Sequence, residues 1–81
     1  MRMSLEYINR LLATLPANAT FDIRFQLADR TITNRLMARD MPGPERRCTN
    51  LDSGSEWFLP LNENLDVTEV WIHSLAIEVI Q

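Results

Sequence analysis

The segment from residue 21 to residue 27 alternates strictly between apolar and polar side chains, and this pattern constrains the fold more than any other feature of the sequence. Its apolar positions are Phe21, Ile23, Phe25 and Leu27. A period of two, carried by aromatic and branched residues, is typical of a β-strand with one face in the core and one in solvent. Residues 31–39 show a second run of this kind after a short gap. The two runs predict an antiparallel hairpin.

The hydrophobic pattern also predicts the register of this hairpin, because a one-residue slip moves every side chain to the other face. We expect Ile23 to lie opposite Leu36, since slipping by one residue would set Ile23 against Arg35. The preferred register places Arg24 opposite Arg35 on the polar face, and like charges in direct opposition are destabilising. We therefore expect an anionic group, from this chain or from a partner, to lie near the two arginines and relieve their repulsion.

Flanking segments predict one helix before the hairpin and further strands after it. Ser4 is a candidate N-cap for a helix with apolar residues at spacings of three and four, and Pro16 ends that helix near residue 14 or 15. Residues 55–61 predict a strand that lies at a sheet edge or ends at Pro60, because proline cannot donate to a ladder. Residues 40–54 hold both glycines and predict a long loop, of the kind that is usually functional or disordered.

The last segment, residues 67–81, is open to two interpretations. The spacing of Asp66 and Glu69 fits a helix capping box. Its many β-branched residues favour a strand, and a bulge near His73 would reconcile the alternation on its two sides. We favour the strand. The sequence thus predicts an α+β fold, an N-terminal helix packed on a three- to four-stranded antiparallel sheet, in a single domain over residues 1–81.

Catalytic and metal sites are poorly supported by the residue types present. The chain has one histidine, His73, and one cysteine, Cys48, and no local motif joins them to an acid such as Asp52. Structural zinc needs four Cys or His ligands at close spacings. We therefore expect no enzyme activity, no cofactor and no metal. A single cysteine and the absence of an apolar leader or membrane-length segment predict a cytoplasmic protein outside the membrane.

Charge is unevenly distributed along the chain. Residues 24–47 carry a net charge of +3, and residues 48–81 carry six acids and no base. All eight basic residues are arginine, whose planar fork suits carboxylate and phosphate groups. A sequence pI near 4.9 and aromatic residues on the predicted core face make nucleic acid the weaker candidate partner. The basic middle can instead pair with the acidic part of the chain or contact an acidic protein.

These features favour a non-enzymatic protein-interaction module. Arginine and tryptophan are typical hot-spot residues of interfaces. The predicted contacts are Arg24, Arg35, Arg39, Arg46, Arg47, Trp57, Phe58 and Trp71. Small motif-free domains are common among phage and mobile-element accessory proteins, so we expect an inhibitor that occupies a surface of a larger host complex, with a homodimer as a further possibility. The alternative is a small nucleic-acid-binding module that uses an arginine face.

Overall fold

The computed structural model describes residues 4–62 and 66–74, and within them it has one helix and five strands. The elements are α1 (Leu5–Thr14), β1 (Thr20–Gln26), β2 (Thr31–Ala38), β3 (Arg47–Asn50), β4 (Glu56–Phe58) and β5 (Val67–Ser74). The predicted α+β class, with a helix followed by an antiparallel sheet, is confirmed. The sheet has five strands rather than the three or four that we expected, in the order β4-β3-β2-β1-β5 with every neighbouring pair antiparallel.

Helix α1 begins and ends where its local sequence requires. The Ser4 hydroxyl accepts a hydrogen bond from the backbone N–H of Tyr7, and the chain turns extended at Leu15, immediately before Pro16. Ile8 and Leu12, one turn apart, are buried against the sheet. The helix has ten residues, and no helix in the described part of the chain is long and apolar enough to cross a membrane.

The sheet has one face in the core and one face away from α1. The core face contributes most of the buried cluster beneath the helix, including Phe21, Ile23, Leu36, Ala38, Cys48 and Val67. Directly opposed residues share a face, so the strand registers define the other side, which we call the outer face. Its residues include Asp22, Arg24, Thr33, Arg35, Met37, Arg47, Phe58, Glu69 and Trp71. No described helix or strand covers the outer face.

The hairpin forms as predicted, but the predicted register is wrong by two residues. Ile23 lies opposite Asn34 rather than Leu36, because the turn is centred between Ala28 and Asp29 instead of between Asp29 and Arg30, and Leu27 N bonds to Arg30 O. A shift of two preserves which face each side chain occupies. It replaces the predicted opposition of two arginines with an Asp22–Arg35 pair, which is favourable where like charges would repel.

The predicted loop over residues 40–54 contains a strand. Residues 47–50 form β3, which pairs with β2 on one side and β4 on the other. At the turn between β3 and β4, the buried Asn50 side chain accepts bonds from the N–H groups of Asp52 and Ser53. Gly54 follows with a φ of 79°, a left-handed conformation that glycine adopts without strain.

The edge position predicted from Pro60 is confirmed, whereas the sequence did not predict which strand lies at the other edge. β4, which is followed by Pro60, lies at one edge, and β5 lies at the other. Residues 67–74 are a strand, so the helical alternative is wrong there. A register shift between Thr20 and Phe21, opposite residues 72–74 of β5, confirms the predicted irregularity near His73. The rest of the predicted strand, residues 75–81, lies outside the described residues.

Candidate interaction surface

The outer face collects most of the arginines that the sequence singled out. Arg24 and Arg35 lie on β1 and β2, in the middle of the sheet. Arg47 lies on β3, and Arg39 directly follows β2 and extends its pairing through a bond from Arg39 N to Arg47 O of 2.8 Å. These four guanidinium groups, which come from three strands, therefore share one surface.

Arg46 does not belong to this surface. The prediction that it contacts a partner is therefore corrected. Only 3% of Arg46 is exposed. Its guanidinium group donates four hydrogen bonds, to the backbone carbonyls of Leu12, Leu15, Arg39 and Asp40. Two of these acceptors close the C-terminal end of α1, where a cation is favourable. Arg46 therefore joins the helix to the 39–40 segment and is inaccessible to a partner.

One side of the outer face, on β1, β2 and β5, is an ion-pair network. Arg35 Nε lies 2.9 Å from Asp22 Oδ1, and His73 Nε2 lies 2.9 Å from Asp22 Oδ2. The hydrogen bond from Arg35 holds the pKa of Asp22 below its usual value against the opposing effect of burial, and His73 contributes to the lowering. Arg24 pairs with Glu69 at 3.0 Å. The anionic neighbours predicted for Arg24 and Arg35 are thus internal.

Trp71 stands at the β5 edge of this network. Its ring stacks on His73 with a centroid distance of 6.4 Å and an angle of 13° between the planes. The residue is 56% exposed despite this contact. An exposed tryptophan on an uncovered sheet face is a marker of an interface.

The other side of the outer face, on β2, β3 and β4, is more open. Here Arg39 lies opposite Arg47, and Arg47 lies opposite Phe58, so the three form a row across neighbouring strands. Met37 lies beside the row, and its sulfur is 3.4 Å from Arg39 Nη1. We call Met37, Arg39, Arg47 and Phe58 the Phe58 cluster. Phe58 is 64% exposed.

The two arginines of the Phe58 cluster differ in their partners. Arg47 binds Asp40 at 2.8 Å, and this hydrogen bond lowers the pKa of Asp40 to about 2. Asp40 has a φ of 60°, a left-handed conformation that aspartate tolerates better than most residues. Arg39 has no carboxylate within ion-pair distance among residues 4–62 and 66–74. Its positive charge is therefore available to an incoming group.

Across the whole outer face the charges nearly balance. Four arginines share the surface with Asp22, Asp40, Glu56 and Glu69. A phosphate backbone is attracted by a continuous excess of positive charge. A balanced surface with exposed aromatic residues at its two ends instead resembles the chemistry of protein interfaces.

The sequence-predicted aromatic residues have three different environments. Trp57 is half-buried on the core face, where its ring is tilted against Phe25 at a centroid distance of 6.2 Å. Its placement makes it a core residue more than a contact. Phe58 and Trp71 are exposed on the outer face at opposite edges of the sheet. Three strands, β3, β2 and β1, lie between the strands that carry them.

Cys48 and His73 are not brought together. Cys48 is buried on the core face of β3, and burial raises the pKa of its thiol to about 11. His73 lies on β5 at the Asp22 network, and strands β2 and β1 separate it from β3. Within residues 4–62 and 66–74, no three His, Cys, Asp or Glu side chains are grouped so as to hold a metal ion.

A groove of about 750 Å³ lies away from the outer face, between α1 and the segment 42–45. A bond from Gly43 N to Ala13 O, 2.9 Å long, fixes one wall to the helix. Its lining is mainly apolar and includes Pro42, Pro44 and Pro60. Asn9, Arg10, Thr14 and Glu45 also line the groove, and the Asn9 Oδ1 accepts a hydrogen bond from Leu61 N.

Two participants in the outer face were missed by sequence reasoning. Met37 and Asp40 have no distinctive spacing, and their role arises from the pairing of β2 with β3, which the sequence pattern did not reveal. Comparisons with known proteins add no assignment: no family model matches the chain, and searches of curated proteins and of solved structures return no match. Function is therefore inferred from the chemistry of the outer face.

Proposed function

We propose that this protein is a non-enzymatic interaction module that docks on a larger protein through the Phe58 cluster. The observation that supports it best is the exposed ring of Phe58 in one row with Arg47 and Arg39, on a sheet face that no described helix or strand covers. The row combines an exposed aromatic ring with Arg39, which has no acidic partner among the described residues, and both residue types are enriched at protein interfaces.

The chemistry of the cluster indicates the partner surface. Phe58 and Met37 offer apolar area, and Arg39 offers a cation beside it. Arg47, held by Asp40, is already neutralised and orients the row. The complementary surface is an apolar pocket that accepts the phenyl ring, with a carboxylate placed to meet Arg39. Electrostatic complementarity of this kind contributes to specificity and association rate.

Occupation of such a surface is sufficient for an inhibitory role, and we propose that the protein acts in this way on a larger host complex, as phage and mobile-element accessory proteins do. The separation of Cys48 from His73 supports a non-enzymatic role. The free, buried cysteine supports a reducing compartment such as the cytoplasm. Nucleic acid is the less favoured partner, because acids on the outer face balance its arginines.

The test is affinity capture from a lysate of the source cells, with the immobilised protein in wild-type and variant forms. Arg39→Glu and Phe58→Ala should each reduce capture of the partner at least tenfold, since they remove the cation and the apolar anchor. Arg10→Glu and Tyr7→Ala are the matched controls, because both residues are exposed on α1, away from the outer face. These controls should capture the partner as the wild type does.

Circular dichroism of each variant confirms that the fold is retained. Equal capture by Arg39→Glu, Phe58→Ala and the wild type would rule out the Phe58 cluster as the docking site. A captured ligand that is nucleic acid, with affinity falling steeply as salt rises, would instead favour the alternative function.

A further inference from the structure

The two edges of the sheet differ in how they are protected from pairing with another chain. β4 has three residues and is followed by Pro60, and short strands and proline are common means of protecting an edge. β5 has eight residues and contains no proline, although its pairing with β1 shifts register near each of its two ends. Its Glu69 is turned to Arg24 of β1, within its own sheet. Among the described residues, no strand pairs with the far side of β5.

We infer that two copies of this chain pair through β5, antiparallel, about a two-fold axis at Trp71. A symmetric pair is centred either on a residue or between two residues. Centring between two residues would set outer-face side chains against core-face side chains, and the two helices would lie on opposite sides of the joined sheet. Centring on a residue keeps both core faces on the same side. The choice is then among the residues of β5.

The axis at Trp71 gives self-complementary neighbours on both faces. On the outer face Trp71 meets Trp71 of the second copy. Glu69 lies opposite His73 of the second copy, and the two-fold axis generates the same pair on the other side of Trp71. On the core face Val70 lies opposite Ile72, and both already pack on the cluster beneath the sheet. An axis at Val70 would instead set Glu69 against Trp71. Aromatic and apolar pairs are favourable cross-strand combinations.

This pairing would join the two five-stranded sheets into one and bury the exposed surface of Trp71. Self-association is a common source of stability for domains of about 80 residues, whose own cores are small. The Phe58 clusters would remain free at the two outer edges of the joined sheet. The inference goes beyond the proposed function and does not depend on it, because Trp71 and Phe58 lie at opposite edges.

The first test is sedimentation equilibrium of the full chain over a wide range of protein concentrations. We expect a reversible dimer in the wild type. Trp71→Lys places two ammonium groups across the axis and should raise the dissociation constant at least tenfold. Phe58→Lys makes the same change in charge, from an aromatic ring to an ammonium group, at the β4 edge and should leave the dissociation constant unchanged. Circular dichroism establishes that both variants fold.

The second test locates the interface and remains informative if Trp71→Lys fails to fold. Trp71→Cys places two thiols face to face across the axis, with Cβ atoms roughly 5 Å apart, so a short bifunctional thiol reagent should give a cross-linked dimer. Phe58→Cys is the matched control and should not cross-link. The wild type gives the baseline, since its Cys48 is buried.

A wild-type chain that stays monomeric at all concentrations would overturn the inference. A dimer that cross-links through position 58 and not through position 71 would overturn it as well. A dimer that is weakened by Trp71→Lys and cross-linked at position 71 supports it.

Discussion

The two sides of the sheet are stabilised in opposite ways. The β3–β4 side is held from within by Arg46, a buried cation whose hydrogen bonds reach the backbone carbonyls of α1 and of residues 39–40. The β1–β5 side is held on its surface by ion pairs among exposed or half-exposed side chains, such as Arg24 with Glu69. Arginine makes the buried hydrogen bonds on one side and the exposed ion pairs on the other. Burial rather than residue type therefore decides how much each arginine contributes to stability.

This difference between buried and exposed arginines determines which substitutions the protein tolerates without losing stability. When a substitution removes one partner of a buried hydrogen bond, the donor or acceptor that stays behind is left unsatisfied. The folded state then loses free energy equal to the full desolvation penalty of that group. An exposed ion pair gains little because water and salt screen it. Substitutions on the surface network should therefore alter recognition and pH response more than stability, and substitutions at Arg46 should do the reverse.

The largest effect is expected for Arg46→Met, which keeps an unbranched side chain and removes every donor. The carbonyls of Leu12 and Leu15 then lose the partner that closes the helix, and we expect a loss of about 3 kcal/mol or more in the free energy of unfolding. Urea denaturation at neutral pH measures it. Arg47→Met is the adjacent control and should shift the midpoint only slightly. Equal shifts in the two variants would contradict the contrast between the sides.

A smaller loss is expected at the turn that joins β3 to β4. Asn50→Ala removes the acceptor for the N–H groups of Asp52 and Ser53, and should cost about 1–3 kcal/mol of unfolding free energy. Asn50→Asp keeps an acceptor oxygen and should lose less. Urea denaturation of both variants is the measurement, and a larger loss for Asn50→Asp would show that the turn does not depend on this acceptor.

The next effect in size is the pH dependence of the unfolding free energy, to which one carboxylate on each side of the sheet contributes. Asp22 and Asp40 both have a pKa below the ordinary 3.8, and that of Asp40 is about 2, through bonds from Arg35 and Arg47 respectively. A carboxyl group with a lowered pKa in the folded state stabilises the protein above its unfolded pKa, and that stabilisation is lost as pH falls through the folded pKa. The unfolding free energy should therefore decrease between about pH 4 and pH 2.

Asp40→Asn and Asp22→Asn should each make this decrease shallower, which urea midpoints at several pH values will show. In an Arg47→Met background, Asp40→Asn should have little further effect on the slope, because the cause of the lowered pKa is already gone. An unchanged slope in both single variants would show that neither ion pair forms in solution.

The smallest effect is expected for the pair between Arg24 and Glu69. A double-mutant cycle with Arg24→Met and Glu69→Gln should give a coupling energy of about 0.2–1 kcal/mol, since both side chains are nearly half exposed. Repeating the cycle in 1 M salt should reduce the coupling, as the Debye length shortens to about 3 Å. A coupling energy well above this range would show that the exposed pair on the β1–β5 side contributes to stability as strongly as the buried hydrogen bonds of Arg46.

Much of the fold and less of the candidate site could be predicted from the sequence. Alternation identified β1 and β2 and assigned Arg24 and Arg35 correctly to the outer face. The register was wrong, because hydrophobic matching alone overlooked the gain from setting Asp22 opposite Arg35. β3 was missed because four residues between turns carry too short a pattern to stand out.

The sequence by itself determined what depends on neighbouring residues: the helix between Ser4 and Pro16, every strand except β3, and the face that each side chain of β1 occupies. These follow from backbone geometry and local periodicity. The tertiary structure decided which strands lie side by side and which arginine is buried. Arg46 and Arg47 are adjacent and identical in type, yet carbonyls from α1, more than thirty residues away, converge on one of them alone. That convergence exists only after the chain has folded, so no local pattern encodes it.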